Sequence, residues 1–386
     1  MSDTKYLSEL FRIIEGALRQ DGVKVRNYAA LLADKLAEAG EESSAQRLRK
    51  LISDRATQLH PARLEQTAPP PVDGESRFAL LERVEVPASA ERHLLSDAQR
   101  AFVEDYLSVV KSRGELEKRG VKAGTNLLLY GPPGCGKSHL AAYVARKVGL
   151  PMYVARLDGL ISSFLGSTAK NIRSVFEFAS RTPCVLLLDE FDAIAKLRDD
   201  QQELGELKRV VNSFIQNLDS LGRDIIVIAA TNHEQLLDPA VWRRFHYLLH
   251  IDLPGLEQRE AFWRLFSDDL NWGAKELSAL ADLSEGFSVA AIEAAATRVR
   301  QQTVTRQMKP SLHAALTALA SLARGQSSMK TALSSIRLDE PETLAKQLHK
   351  RNPRLYSMSV SAEIAGISKA TMSRHAAKEN AKRKEK

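Results

Sequence analysis

The feature that most constrains this chain is eight residues long. Gly131-Pro132-Pro133-Gly134-Cys135-Gly136-Lys137-Ser138 fits the pattern G-x-x-x-x-G-K-[ST] and lies between an apolar run, Asn126 to Tyr130, and a stretch of helical character. Each residue type has a physical reason. Glycines let successive backbone N–H groups curl around phosphate oxygens with no Cβ in the way, and the helix behind them presents the positive end of its dipole. Lys137 suits the β and γ phosphates of a nucleotide, the Ser138 hydroxyl suits Mg²⁺, and His139 follows as a further candidate contact. The alternative is a glycine turn between strand and helix with no ligand at all.

Such a loop belongs to a sheet whose strands end at one edge. From Phe78 to Leu253 short apolar runs alternate with helical patterns, as expected of βαβ units around a parallel sheet. The expected strands are Asn126 to Tyr130, Met152 to Ala155, Val185 to Leu188, Ile225 to Ala229 and Leu248 to Ile251, all short and nearly all apolar. The third of these, Val185 to Leu188, runs into Asp189 and Glu190, two carboxylates at the end of a buried strand. Asp189 can hold Mg²⁺ and Glu190 can orient and polarise an attacking water. The fold class expected is α/β: a P-loop NTPase parallel sheet flanked by helices with an α-helical lid, and small all-α modules at the N- and C-terminal ends.

From about Glu82 to Arg306 the sequence resembles the AAA family of ATPases, within the wider AAA+ class. Beyond the loop and the carboxylate pair, Asp158 to Arg173 is similar to the family's first pore loop and following helix. The resemblance makes Phe164 the aromatic that grips a threaded polypeptide, with Leu165 beside it; an ordinary core phenylalanine is the alternative. Ala229-Ala230-Thr231-Asn232 resembles the sensor motif, with Asn232 helping to place the water. Leu237 to His246 is similar to the stretch that carries arginine fingers, and Arg243 and Arg244 are equal candidates. A finger supplied in trans stabilises charge on the transferred phosphoryl group, so the resemblance implies a homo-oligomeric ring, usually a hexamer. It also implies ATP and Mg²⁺ as ligands. Three positions depart from the family pattern: His246 where Asp is common, Cys135 where threonine is usual, and Ser288-Val289-Ala290-Ala291 without the usual lid glycine.

Around this core the chain divides by composition. Residues 1–65 carry leucines at helical spacing and read as a helical interaction module, 66–76 as a Pro-rich linker, 77–253 as the α/β core and 254–308 as a helical lid. Residues 309–349 read as a helical connector and 350–386 as a basic end. That last segment holds ten Lys/Arg and three Glu, a net of seven that equals the excess of the whole chain. Such asymmetry points either to an anion such as nucleic acid or to a solvated tail. Ser359 to His375 resembles a helix-turn-helix motif, with Ala362 at the helix crossing and Gly366 in the turn. On that resemblance Ser368, Lys369, Thr371, Ser373 and Arg374 are candidate DNA contacts. A helical hairpin that packs on the lid or docks a protein is the alternative.

The apolar runs are too short for a membrane span, no signal-peptide core follows Met1, and two cysteines make no disulfide framework. A cytoplasmic Mg-ATP hydrolase is expected. Three uses of its work stay open: threading of a protein substrate, DNA-directed action as in transposition helpers or replication loaders, and a nucleotide-gated DNA-binding switch. The chain also looks like bacterial ATPases paired with a separate subtilisin-like protease.

Overall fold

The computed structural model describes residues 6–18, 21–54, 70–73, 77–86, 95–121, 124–157, 165–193, 213–218, 225–307, 309–324, 333 and 340–371. The backbone forms two compact units. The first comprises residues 1–93, 98–131 and 137–250; the second comprises 94–97, 132–136 and 251–386.

The first unit is built on a six-stranded sheet. Its strands are β1 (Glu82–Val84), β2 (Leu127–Tyr130), β3 (Met152–Arg156), β4 (Val185–Asp189), β5 (Ile226–Thr231) and β6 (Tyr247–His250), in the order β1-β3-β4-β5-β2-β6. All pairs are parallel except β1 with β3. β1 was not expected from the sequence: Glu-Arg-Val is short, polar and largely exposed at a sheet edge, so it carries no apolar signal. The five expected strands all form, within two residues of their expected ends.

Helices α1 (Leu7–Leu18), α2 (Gly22–Glu38) and α3 (Glu42–Asp54) precede the sheet, and α4 (Asp97–Lys118), α5 (Lys137–Val148), α6 (Leu165–Arg181) and the short α7 (Pro239–Trp242) accompany it. Leu186, Leu188, Val227 and Ala229 pack with Ile172, Val175, Phe176 and Ala179 of α6 in one apolar cluster. α2 is tied to the end of α6, where Asn27 Nδ2 donates to Arg181 O at 3.3 Å and Thr182 Oγ1 at 3.4 Å. Part of the expected linker is ordered. Asp73 N donates to Phe78 O and Leu80 N to Pro71 O, each at 2.8 Å, and the buried Asp73 carboxylate accepts from Asn171 Nδ2 on α6 at 2.5 Å. The prolines therefore open a small hairpin rather than a free spacer.

The second unit is helical: α8 (Leu256–Phe266), α9 (Ala274–Leu283), α10 (Val289–Arg306), α11 (Leu312–Arg324), α12 (Pro341–Arg351) and α13 (Met358–Ile364). One apolar cluster joins Trp263, Leu280, Phe287, Ile292 and Leu319 to Leu348, Tyr356, Ala362 and Ile364. Ala362, expected at a helix crossing, is thus part of the unit's core. Gly366 holds φ +70° at the turn, where the His313 ring lies against it, and His313 Nδ1 is 2.9 Å from Ile364 O. Ser368 caps the next helical turn, accepting from Thr371 N at 3.1 Å. Ser373, Arg374 and Met372 lie outside the described residues. Among the described residues no helix is long and apolar enough to cross a membrane.

Asp282 at the end of α9 fastens α12 and the turn after it. It accepts from the Tyr356 hydroxyl and pairs with Arg351 Nε at 3.1 Å, while Arg351 Nη2 reaches Glu285 at 2.5 Å. Burial, with the hydrogen bond to Asp282, pushes the Tyr356 phenol well above its usual range. Tyr356→Phe removes the donor from a carboxylate that stays in place. We expect a loss of about 1–2 kcal/mol, read as earlier urea unfolding of this unit and faster amide exchange in α12 and α13.

Candidate active site

The parallel register decides what meets at the sheet edge. Tyr130 is level with Thr231 of β5, and Leu188 of β4 is level with Ala229. Gly131, Asn232 and the Asp189-Glu190 pair therefore emerge together at the carboxyl ends of three adjacent strands, where α/β sheets bind ligands.

The loop Gly131 to Gly136 runs directly into α5 at Lys137. Gly134 and Gly136 hold φ +71° and +93°, a region open to glycine and costly for other residues. Lys137 is buried, and its Nζ donates to Gly131 O at 2.7 Å. The ammonium is thus held over its own loop, where a phosphate oxygen would replace the carbonyl. Ser138 and His139 occupy the first turn of α5, whose leading N–H groups lack intrahelical partners.

Ser138 Oγ donates to Asp189 Oδ2 at 3.0 Å. Neighbouring ligands of an octahedral Mg²⁺ with bonds of 2.0–2.1 Å stand about 2.9 Å apart, so this hydroxyl and carboxylate suit one Mg²⁺. Few protein ligands are needed, since Mg²⁺ keeps waters and takes phosphate oxygens. Among the described residues no group of three or more His, Cys, Asp or Glu is placed to hold a metal, which leaves this pair as the candidate.

Glu190 holds φ +54°, the left-handed region, where a bulky side chain is uncommon. Its N–H donates to Asp189 Oδ1 at 2.9 Å, and the next N–H, of Phe191, donates to Ala230 O of β5 at 2.9 Å. Two hydrogen bonds and the buried Phe191 ring fix the strained turn, and the Glu190 side chain is aimed by it.

Sequence reasoning overlooked the pair beneath Asn232. Buried Thr231 Oγ1 donates to the buried Asp192 carboxylate at 3.1 Å and accepts from His233 N at 3.1 Å. Asn232 thus sits between two backbone positions pinned by one hydroxyl. An aspartate two residues after Glu190 and a threonine before Asn232 were visible, but their contact is long-range.

Arg243 and Arg244 occupy the exposed turn after α7. Asp238 caps α7, accepting from Ala240 N at 2.7 Å, and Pro239 opens it. Trp242 packs edge-on against Tyr130, ring centres 5.3 Å apart, and Phe245 is buried. Asn126 Nδ2 donates to Arg244 O at 3.2 Å and Asn126 O accepts from His246 N at 3.0 Å. The arginine turn is fixed to the start and end of β2. His246, unusual for the family, occupies the space of a side chain at Gly124, where a Cβ would lie 2.2 Å from its ring.

Residues 132–136 make their contacts in the second unit. Ala290 N donates to Gly134 O at 3.0 Å, and a Cβ on Gly134 would approach Ser288 Oγ to 2.9 Å. Ser288 is the N-cap of α10, accepting from Ala291 N. The start of α10 therefore reaches the loop without the lid glycine, because Gly134 supplies the room. Both cysteines are buried free thiols, and burial pushes Cys184 up to about 12. The Phe164 position and residues 158–163 lie outside the described residues; Leu165 begins α6.

Comparison with known proteins agrees with this geometry. The family model for ATPases associated with various cellular activities (AAA) matches residues 127–253. An uncharacterized AAA family ATPase of Sinorhizobium fredii is 36% identical over 289 residues, 74% of this chain and 86% of that protein. A proteasome-activating nucleotidase of Methanococcus vannielii is 32% identical over 211 residues, 51% of this chain and 52% of the relative. The peroxisomal ATPase PEX1 of Arthrobotrys oligospora is 40% identical over 176 residues, 44% of this chain and 15% of the relative. The chain thus spans about half of the nucleotidase and a small part of the peroxisomal protein. With a nucleotide loop, a metal-suited hydroxyl-carboxylate pair and a relative of that family matched over 86% of its length, the chain belongs to the AAA family of ATPases.

Proposed function

We propose that the chain is a Mg²⁺-dependent ATP hydrolase that works as a homo-oligomeric ring, a hexamer as the family resemblance implies, and remodels or threads a protein substrate.

 Lys137 and the N–H groups around Gly134 and Gly136 bind the β and γ phosphates, and Ser138 and Asp189 hold the metal. Held by that pair, Mg²⁺ would neutralise phosphate charge. Glu190 takes the proton of the attacking water as its oxygen bonds to the γ phosphorus and the bond to the β-phosphate oxygen breaks, releasing ADP and phosphate. Asn232 keeps that water in line. Arg243 or Arg244 of a neighbouring copy stabilises the charge on the transferring group.

The observation that carries this reading is the convergence of Lys137, the Ser138–Asp189 pair and the strained Glu190 turn at one sheet edge. The likeness to a proteasome-activating nucleotidase supports work on proteins, with Phe164 and Leu165 as the gripping pair and a separate protease as one candidate partner. A second reading, DNA-directed action, rests on the basic excess of residues 350–386. Of its candidate contacts, Ser368 and Lys369 are exposed, but Ser368 and Thr371 are hydrogen-bonded to each other in the cap of the last described turn.

Lys137→Ala should abolish nucleotide binding by the full chain in equilibrium titration. Glu190→Gln should bind ATP normally and lose at least a hundredfold in turnover; hydrolysis near the wild-type rate would remove Glu190 from the water-positioning role.

Glu190→Gly should lose turnover as fully, yet keep or raise the thermal midpoint. The left-handed conformation costs an L-residue about 1–2 kcal/mol, against roughly 0.5–1 kcal/mol for the extra freedom of glycine when unfolded. A lowered midpoint would mean that the turn is not strained.

Mixing Arg243→Ala or Arg244→Ala protein with wild type should depress ATP turnover more steeply than dilution for the arginine that acts in trans. Strictly proportional loss for both variants would exclude a finger at this turn.

A further inference from the structure

α1 is built inside out. Its buried positions include Glu9 and Gly16, while Leu10, Phe11, Ile14 and Leu18 are 43%, 61%, 53% and 81% exposed. These four, with exposed Ala17, recur three and four residues apart and make one continuous apolar stripe.

The orientation is fixed by contacts with α2. Lys35 Nζ pairs with Glu9 Oε1 at 2.7 Å and Lys24 Nζ with Glu15 Oε2 at 3.2 Å. Gly16 brings the two helices together, since a Cβ there would lie 3.0 Å from Val25 Cγ2. Glu9 Oε2 is buried without a hydrogen-bond partner, an unfavourable arrangement that rotation of α1 would relieve. The fold accepts that penalty and keeps the apolar face in water.

We infer that the Leu10-Phe11-Ile14-Leu18 stripe is a docking surface for an apolar segment of a protein client, one that presents its own apolar side chains at helical spacing. The stripe offers no side-chain hydrogen-bonding group, so recognition comes from apolar burial alone. It exposes on the order of 400 Å² of apolar surface, half of the roughly 800 Å² per partner typical of a stable interface. That area suits capture and release better than a permanent dimer of two α1 helices. The charges within α1 are Glu9, Arg12 and Glu15, of which Arg12 and Glu15 pair at 2.7 Å, so α1 itself carries no basic excess of the kind that draws a helix to anionic lipid. The inference deepens the proposed work on a protein substrate and rests on that reading for its purpose.

The test is fluorescence anisotropy of the full chain with a labelled 20-residue peptide carrying leucines at i, i+3, i+4 and i+7 spacing, beside a scrambled isomer of the same composition. Wild type should bind the patterned peptide, and Phe11→Ser combined with Leu18→Ser should weaken binding at least tenfold with basal ATP turnover and assembly mass unchanged. Phe11→Leu should bind within about threefold of wild type, as apolar burial requires. Failure of wild type to bind, or equal binding by the double variant, overturns the inference. A smaller assembly mass in the double variant also overturns it and assigns the stripe to a second copy; binding of wild type to phosphatidylserine vesicles in preference to the peptide assigns it to lipid. Anisotropy needs no turnover, so the threading reading is tested apart: Phe164→Ala that binds peptide through α1 and still processes a folded protein substrate at the wild-type rate removes threading and leaves the docking surface standing.

Discussion

An apolar sheet has to end, at a single edge, in the polar groups that handle a triphosphate, and the parallel register of β4, β5 and β2 meets that requirement. Tyr130 level with Thr231, and Leu188 level with Ala229, bring Gly131, Asn232 and Asp189 out of the core within two residues' rise of each other. A slip of one residue in any of these strands would turn Leu128, Leu187 or Ile228 to the opposite face and move the polar ends apart. Because all three strands are buried on both faces, such a slip is costly, and the site inherits its geometry from the core.

Local devices then refine what the register supplies. The N–H groups of Glu190 and Phe191 are held by Asp189 and Ala230, which keeps Glu190 in a conformation that an isolated peptide would leave. Thr231 ties Asp192 to the backbone on either side of Asn232. Trp242 on Tyr130 and Asn126 on Arg244 do the same for the arginine turn. The bonds from Phe191 to Ala230, Thr231 to Asp192 and Asn126 to Arg244, and the ring contact of Trp242 with Tyr130, join residues far apart in sequence, so each carries loop-closure cost that only the assembled sheet can offset.

That difference in range explains what could be read in advance. Strand runs such as Val185 to Leu188 and the glycine loop carry their signal within a few residues, and the fold class, the five parallel strands and the order of the motifs followed from them. β1 gave no such signal because it is polar and at an edge. The ordered hairpin at Asp73 depends on Asn171, about a hundred residues away, and Thr231 with Asp192 on a contact across two strands. In α1 the helical period was legible and its sense was not. Periodicity says that Leu10, Phe11, Ile14 and Leu18 share a face, but whether that face meets the core depends on Glu9, Lys35 and Gly16, which hold the opposite face inward.

The second unit ties the glycine loop to its own helices, since Gly134 leaves space for Ser288 and its carbonyl accepts from Ala290 N. α10, which begins there, is buried through Ile292, Ala295 and Val299 in the same cluster that holds Leu319 of α11, Leu348 of α12 and Ile364 of α13. Close-packed side chains do not yield independently. A change in the loop at Gly134 therefore bears first on the cap of α10, and the packing around α10 extends without a break to the turn at Gly366, inside the basic end of the chain.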